Sequence, residues 1–250
     1  MLKADNITMR FGGLTAVNNV SIDIDKPQIY GLIGPNGAGK TTFFNCISGV
    51  FNPEGSVTFD GKPMLGKRCF QFNEAGMART YQIINLFRRM TVVENVMVGM
   101  HSRLNARFFD AVLRTKKHRR EEEEAFAKAW DLLDFVGLKH KGMSPAGSLP
   151  YGEQRLLEIV RALASNPKLV LLDEPAAGMN TAEKQDLDKL LKQILDLGII
   201  ILLVEHDMKL VMGVCDHIFV LHNGALIAQG PPSDISTNPE VITAYLGGDE

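Results

Sequence analysis

The run "GLIGPNGAGKTT", Gly31 to Thr42, decides how the rest of the chain is read. Gly34, Gly39, Lys40 and Thr41 fit the pattern GxxxxGK[ST]. Upstream, "QIYGLI" reads as a buried strand. Downstream, "KTTFFNCISGV" reads as a helix closing near Gly49. Strand, glycine loop, helix is the context that separates a phosphate-binding loop from a chance glycine turn. Gly34, Gly37 and Gly39 let the backbone bend around an anion with no Cβ in the way. Pro35, Asn36 and Ala38 complete the loop, and Thr42 follows it. Successive amides and the helix N-terminus face phosphates. Lys40 brings mobile positive charge to the β and γ phosphates, and the Thr41 hydroxyl is a natural Mg²⁺ ligand.

Two further strands end in polar residues. "KLVLLDEP" runs through four apolar positions into Asp173 and Glu174. Continuous apolarity predicts a parallel strand covered on both faces. Its C-terminal end is where open α/β sheets bind ligands. Asp173 is placed to hold the Mg²⁺ shell, and Glu174 to polarise the attacking water as general base. The plainer alternative is that both acids cap the next segment. "IIILLVEHD" ends in Glu205, His206 and Asp207. On the same sheet edge His206 can reach a γ-phosphate.

Composition sets the bounds. The 250 residues are 45% hydrophobic and 22% charged, enough for one large domain with a sizeable core. Net charge is -2, which asks for no nucleic acid. Cys46, Cys69 and Cys215 are too far apart in sequence for a CxxC pair and offer no disulfide framework, so a reducing compartment is expected. The opening "MLKADNITMRF" has no apolar run of signal-peptide kind. The longest uninterrupted apolar run, "IIILLV", is far short of the roughly 20 residues a membrane span needs.

With these motifs in place, the whole chain resembles the ATP-binding subunits of ABC transporters. Gly34 to Thr42 resembles the Walker A loop, and Leu169 to Glu174 Walker B. Gln82, in "RTYQIINLF", stands at the position of the family's Q-loop glutamine, implying a role at the nucleotide, the metal and the membrane partner. His206 resembles the switch histidine. Phe11, in "MRFGG", resembles the aromatic that stacks on adenine. "LPYGEQ", from Leu149 to Gln154, resembles the signature LSGGQ, which in this family presses on the γ-phosphate held by the opposite subunit. Gly152 admits close backbone approach there, and a helix start favours an anion. Pro150 replaces a serine hydroxyl, Tyr151 a glycine, and Glu153 the glutamine. A weakened but working site is implied. "AAGMN", Ala176 to Asn180, resembles the D-loop, with Asn180 where aspartate is usual. Asparagine keeps the hydrogen-bonding shape without the charge.

The resemblance implies an α/β, P-loop NTPase fold with a mostly parallel core sheet, an antiparallel side sheet and a helical subdomain. Residues 1–86 and 166–250 are expected to form the nucleotide-binding core, and 87–165 the helical subdomain. In the first part, "LKADNITMRF" and "GSVTFDGKPM" read as strands with a turn at Asp60-Gly61. In the second, "TVVENVMVGM" has helix spacing, and Thr91 with Glu94 reads as a capping box. Phe126, Trp130, Leu133 and Val136 predict one packed helix face. "RTKKHRREEEE" predicts a solvated helix with pairs Lys117–Glu121, Arg119–Glu123 and Arg120–Glu124. "HIFVLHNGALIAQG" predicts a hairpin at Asn223-Gly224, and "NPEVITAYLG" a closing helix stopped near Gly247.

"DEPAAGMN", "VEHDMKLVMGVCDHIFVLHNG" and "GPPSDISTNPEVITAYLG" resemble the importers of branched-chain, hydrophobic amino acids, and this chain the longer ATPase of the pair. That implies ATP and Mg²⁺ as cofactors and a second ATPase subunit, as heterodimer or homodimer. It also implies two transmembrane permease subunits and, indirectly, an extracytoplasmic binding protein. The location implied is peripheral, on the cytoplasmic face of the membrane. "IINLFRRMTVVENV" is expected to line the groove that receives a permease helix. Importers of urea and other amides and exporters of lipid-linked cargo share much of the pattern. A soluble ABC-type switch is the rival class. A phosphate-loop kinase leaves Leu149 to Glu153 and His206 unexplained.

Overall fold

The computed structural model describes residues 1–101 and 116–246, with only the backbone described for 116–119. Two long strands, β1 (Leu2–Phe11) and β2 (Leu14–Ile24), pair antiparallel. Then come β3 (Ile29–Ile33), α1 (Lys40–Ile47), β4 (Glu54–Phe59) and β5 (Lys62–Pro63). Asp60 and Gly61 join the last two strands with φ of 49° and 72°, which a two-residue hairpin turn requires. The order β2-β1-β4-β5 makes the antiparallel side sheet.

The helix α2 (Cys69–Ala75) follows and was not expected from the sequence. "CFQFNEA" spans about two helical turns, too short for a periodic apolar signal. Gly76, at φ 106°, closes it. Next come β6 (Met77–Arg79) and α3 (Val92–Gly99). Thr91 accepts from the Glu94 amide and Glu94 from the Thr91 amide, so the capping box forms as read.

The helix α4 (Lys116–Phe135) carries residues 116–124 of the charge run, whose first two positions lie outside the described residues, and Arg120 pairs with Glu124 at 2.8 Å. The side chains of the other two pairs, Lys117–Glu121 and Arg119–Glu123, include positions outside the described residues. The packed face departs from the expected stripe at Phe126, while Leu133 is in the core and Trp130 and Val136 pack against it. Ala125, Ala129 and Leu133 are buried, whereas Phe126 is exposed and Trp130 and Val136 are half-buried. Small side chains take the contact because helices approach most closely over alanine.

The remaining elements are α5 (Tyr151–Leu163), β7 (Leu169–Asp173), α6 (Thr181–Asp196), β8 (Ile200–Val204) and α7 (Met208–Val214). Then come β9 (His217–His222), β10 (Ala225–Gly230), α8 (Pro232–Thr237) and α9 (Pro239–Leu246). The turn at Asn223-Gly224 forms as read. The expected stop at Gly247 lies outside the described residues.

The central sheet has the order β10-β9-β3-β8-β7-β6, parallel except for β10. Every residue of β3, β7 and β8 is buried. Alternate residues enter two cores. Leu32, Leu171, Leu202 and Phe219 share one with the side sheet and α1. Ile33, Leu172, Leu203 and Val220 share the other with α5, α6 and α7. A third core joins α3, α4 and α5. Its members Val92, Val93 and Val96 therefore face inward, not the groove predicted for "IINLFRRMTVVENV". The helix α5 feeds both neighbours, with Ile159 and Leu163 in one core and Leu157 and Val160 in the other.

Candidate functional site

Register brings the polar strand ends together. Asp173 of β7 stands opposite Val204 of β8, which stands opposite Leu32 of β3. The glycine loop, Asp173-Glu174 and Glu205-His206 thus leave one sheet edge side by side. Arg79 of β6 pairs with Leu171, so Thr80 to Gln82 emerges next to Asp173.

The glycine loop is wedged against its neighbours. A Cβ at Gly34 would lie 2.0 Å from the Leu221 carbonyl oxygen, and one at Gly39 2.4 Å from that of Ala16. Ala38 is buried, while Pro35 and Thr42 are half-buried. Asn36, Gly37 and Thr41 are exposed. The Lys40 ammonium donates to the carbonyls of Gly34 (2.7 Å) and Pro35 (2.9 Å). Burial lowers its pKa, against the pull of the Glu174 carboxylate. That pull places Lys40 and Glu174 in one electrostatic site.

Glu174 sits at φ 48°, a left-handed conformation that is costly for a long side chain. Its Oε2 accepts from Gln82 Nε2 at 3.1 Å and lies 3.9 Å from His206 Nδ1. One carboxylate oxygen therefore has both of the other predicted catalytic side chains beside it. Strain at a charged residue within such a cluster points to a functional constraint.

Asp173 is buried and ion-paired with Arg79 Nη2 at 3.0 Å. Burial raises its pKa, and the Arg79 guanidinium opposes the rise. Arg79 also donates to Ser48 and stacks over the rings of Phe44 and Tyr81. Glu205, buried behind His206, accepts from the Ala176 amide at 2.7 Å and the His206 amide at 3.2 Å. Burial raises its pKa against those donors. Glu205 thus ties the start of the 176–180 loop to His206. The sequence reading gave no role to Arg79 or Glu205.

The segment 149–154 forms a helix N-terminus, with Pro150 at the N-cap position and Tyr151 opening α5. Its first turn packs on the 176–180 loop of the same chain. A Cβ at Gly178 would lie 2.8 Å from the Tyr151 ring, and one at Gly152 2.5 Å from Glu183 Oε1. Glu153 is engaged by Lys141 at 2.6 Å. Arg155, one turn on, is 1% exposed and was also missed. Asn180 caps α6, its Oδ1 accepting from the amides of Ala182 (2.9 Å) and Glu183 (3.0 Å). Asn180→Ala should cost about 1 kcal/mol of stability, and Asn180→Asp much less. Urea unfolding checks this; an unchanged midpoint for the alanine variant would show the cap to be idle.

Phe11 is 44% exposed at the end of β1 and meets Phe51 edge-on, with ring centroids 5.4 Å apart. A half-open ring at this position is available for stacking.

Three kinds of comparison agree with this arrangement. Residues 17–177 match the family described as ABC transporter. The chain is a member of the ABC transporter family. Residues 225–250 match a second family, the branched-chain amino acid ATP-binding cassette transporter. Among similar proteins is the high-affinity branched-chain amino acid transport ATP-binding protein LivG of Salmonella typhimurium, 45% identical over 99% of this chain and 98% of its own. BraF of Pseudomonas aeruginosa, described in the same terms, is 44% identical with the same coverage. Among solved structures, the ADP conformation of MJ1267, an ATP-binding cassette of an ABC transporter, superposes with a TM-score of 0.86. It is 33% identical and covers 99% of this chain and 98% of its own. This chain is accordingly an ABC ATPase, and its architecture is the one the sequence predicted. Among the described residues, no helix is long and apolar enough to cross a membrane.

Proposed function

We propose that this ABC ATPase energises import of branched-chain, hydrophobic amino acids from the cytoplasmic face of the membrane, as the longer subunit of an ATPase heterodimer. The observation that carries the catalytic reading is the meeting of Gln82, Glu174 and His206 at one carboxylate oxygen. The match of residues 225–250 and the likeness to LivG and BraF support the cargo.

In this reading Gly34 to Thr42 binds the ATP phosphates through loop amides and Lys40, and Phe11 stacks on adenine. Glu174 takes a proton from the attacking water, Gln82 orients that carboxylate, and His206 steadies the γ-phosphate. Leu149 to Glu153 of each subunit closes on the nucleotide of the other, with Asn180 at the shared seam. Thr41, Asp173 and Gln82 are the residues that would hold Mg²⁺. They offer hydroxyl, carboxylate and amide oxygens, the hard donors this ion prefers. Among the described residues no group of three His, Cys, Asp or Glu side chains is arranged to hold a metal ion by itself. Mg²⁺ keeps several waters and shares substrate phosphates, so one or two protein ligands serve it. When bound, it would neutralise charge building on the phosphate oxygens.

The permease helix would dock beside α3 and α5. A cleft of about 360 Å³ there is lined by Asn85, Phe87, Val98 and Arg161. A second, of about 440 Å³, is lined by Phe70, Arg79 and Tyr81. Phe87 is 51% exposed, a side chain of the kind that anchors interfaces. Phe87→Ala should lower transport by the assembled complex at least about tenfold, with ATP affinity unchanged. Normal transport would move the docking site elsewhere.

Purification of the tagged chain from native membranes, with partners identified by mass spectrometry, tests the proposal. A second ATPase with two membrane proteins is the expected result. Recovery of this chain alone, under extraction that preserves known membrane complexes, would favour a soluble switch.

A further inference from the structure

Arg155 lies on the first turns of α5 and, at 1% exposure, is among the largest fully buried side chains of the described residues. Its guanidinium reaches two segments far away in sequence. Nη1 donates to the carbonyl of Tyr81 and Nη2 to that of Gln82, both at 2.8 Å. Nη1 also donates to Glu158 at 3.0 Å and Nη2 to the Tyr151 hydroxyl at 3.2 Å. The remaining donor, Nε, has no hydrogen-bond partner. Glu158, also buried, provides the counter-charge, with Arg161 Nη2 4.0 Å away on its other oxygen.

The bonds to Tyr81 and Gln82 are to backbone, so they fix a peptide and not a side-chain rotamer. That peptide carries Gln82, whose side chain touches Glu174. The nitrogen that holds the Gln82 carbonyl, Nη2, also donates to Tyr151, whose ring lies on Gly178. Tyr151 stands in the turn assigned above to the partner's nucleotide. A planar fork can hold two carbonyls and a carboxylate at once, whereas an ammonium is a point charge on a flexible stem. Buried ion pairs add little net stability, so the pair's geometry is the better guide to its role.

We infer that Arg155 is a positioning residue that joins the Gln82 loop to the first turn of α5. Nucleotide met at Glu174 and Gln82 thereby resets the turn that the same chain presents to its partner. The inference deepens the proposed function and rests on it in taking 149–153 as the turn that meets the second nucleotide. Coupling of this kind is reciprocal, so the state of that turn also alters nucleotide affinity.

The test is amide hydrogen exchange of the full chain with and without ATP and Mg²⁺, diluted until sedimentation shows a monomer. Only coupling within the chain then operates. In the wild type, nucleotide should change exchange in residues 149–157 by roughly fivefold or more, alongside the change at Gly34 to Thr42. Arg155→Lys keeps a charge for Glu158, but three donors on one atom cannot serve both carbonyls, Glu158 and the Tyr151 hydroxyl at once. It should keep the change at the glycine loop and reduce that at 149–157 to under about twofold. A paired variant, Arg155→Met with Glu158→Leu, removes both buried charges and should behave alike. A purely structural arginine would alter melting temperature without separating the two regions. A wild-type chain with no change at 149–157, or a folded Arg155→Lys variant with an intact one, overturns the inference. The shared-site reading fails separately, if turnover per chain is unaffected by dilution.

Discussion

Glu174→Gln should lower steady-state ATP turnover by about 10²–10⁴-fold, the usual contribution of a general base, while leaving ATP binding intact. The substitution keeps the length of the side chain and an oxygen that can still accept from Gln82 Nε2. It removes the capacity to take a proton. The strained backbone at φ 48° is unchanged, because the side chain does not set it. Lys40 loses the neighbouring charge that supports its ammonium, yet keeps its contacts to Gly34 and Pro35. The variant should therefore bind ATP within about twofold of wild type and, if the site is shared between subunits, accumulate as an ATP-bound dimer. Single-turnover kinetics with a fluorescent nucleotide would separate binding from chemistry. Turnover within tenfold of wild type would mean that the water is activated by another group, and His206, 3.9 Å away, would be the next to replace.

The parts of this site that could be read in the sequence are those whose function is coded locally. The glycine loop is one: its geometry depends on the residue types within it and on the adjoining strand and helix. The acids closing β7 are another, since four apolar residues and a sudden pair of charges mark a strand end at any distance from its neighbours. Caps at Thr91 and hairpins at Asp60-Gly61 and Asn223-Gly224 were readable for the same reason. Arg79, Arg155 and Glu205 were not. Arg155 bonds to carbonyls 73 and 74 positions away, and Arg79 to a carboxylate 94 positions away. In "LPYGEQRLLEIVRAL" the arginine shares a helix face with the buried Ile159 and Leu163, four and eight positions on, but its charge argues for solvent. It is buried because a loop from β6 crosses it, and nothing in the local pattern records that loop. The same limit applies to α4, where Trp130, Leu133 and Val136 pack as read but Phe126 is exposed and Ala125 and Ala129 complete the face.

The signature turn shows how local departures are absorbed. Pro150 offers no hydroxyl, and Glu153 is engaged by Lys141. What remains for an anion is the helix N-terminus and the bare backbone at Gly152. Tyr151, where the family pattern has glycine, does not project unsupported. Its ring covers Gly178 and its hydroxyl accepts from Arg155. The bulky residue thus exchanges adaptability for a fixed contact between the turn and the 176–180 loop. Asn180 keeps its capping role without the aspartate charge, so the loop is held from both ends.

Gly39→Ala should abolish ATP binding and destabilise the fold, and Gly37→Ala provides the control that says why. Gly39 has φ 94° and caps the start of α1. Its missing Cβ would sit 2.4 Å from the Ala16 carbonyl oxygen. That atom is backbone of β2, so it cannot rotate away as a side chain would. Either the side sheet shifts or the loop does, and the loop carries the amides proposed to face phosphate. Gly37 also has positive φ, at 80°, but a Cβ there meets nothing within 4 Å. Its alanine variant bears only the conformational cost of roughly 1–2 kcal/mol. The Gly39 variant adds a backbone clash and should exceed about 4 kcal/mol, the range reserved for strain or overpacking. For a domain of this size each kcal/mol moves the melting temperature by about 2–4 °C. Gly37→Ala should therefore melt a few degrees below wild type and still bind ATP. Gly39→Ala should melt far lower, with ATP affinity down at least about 100-fold. Equal losses in both variants would mean that backbone conformation alone sets the loop, and that its contact with β2 contributes nothing.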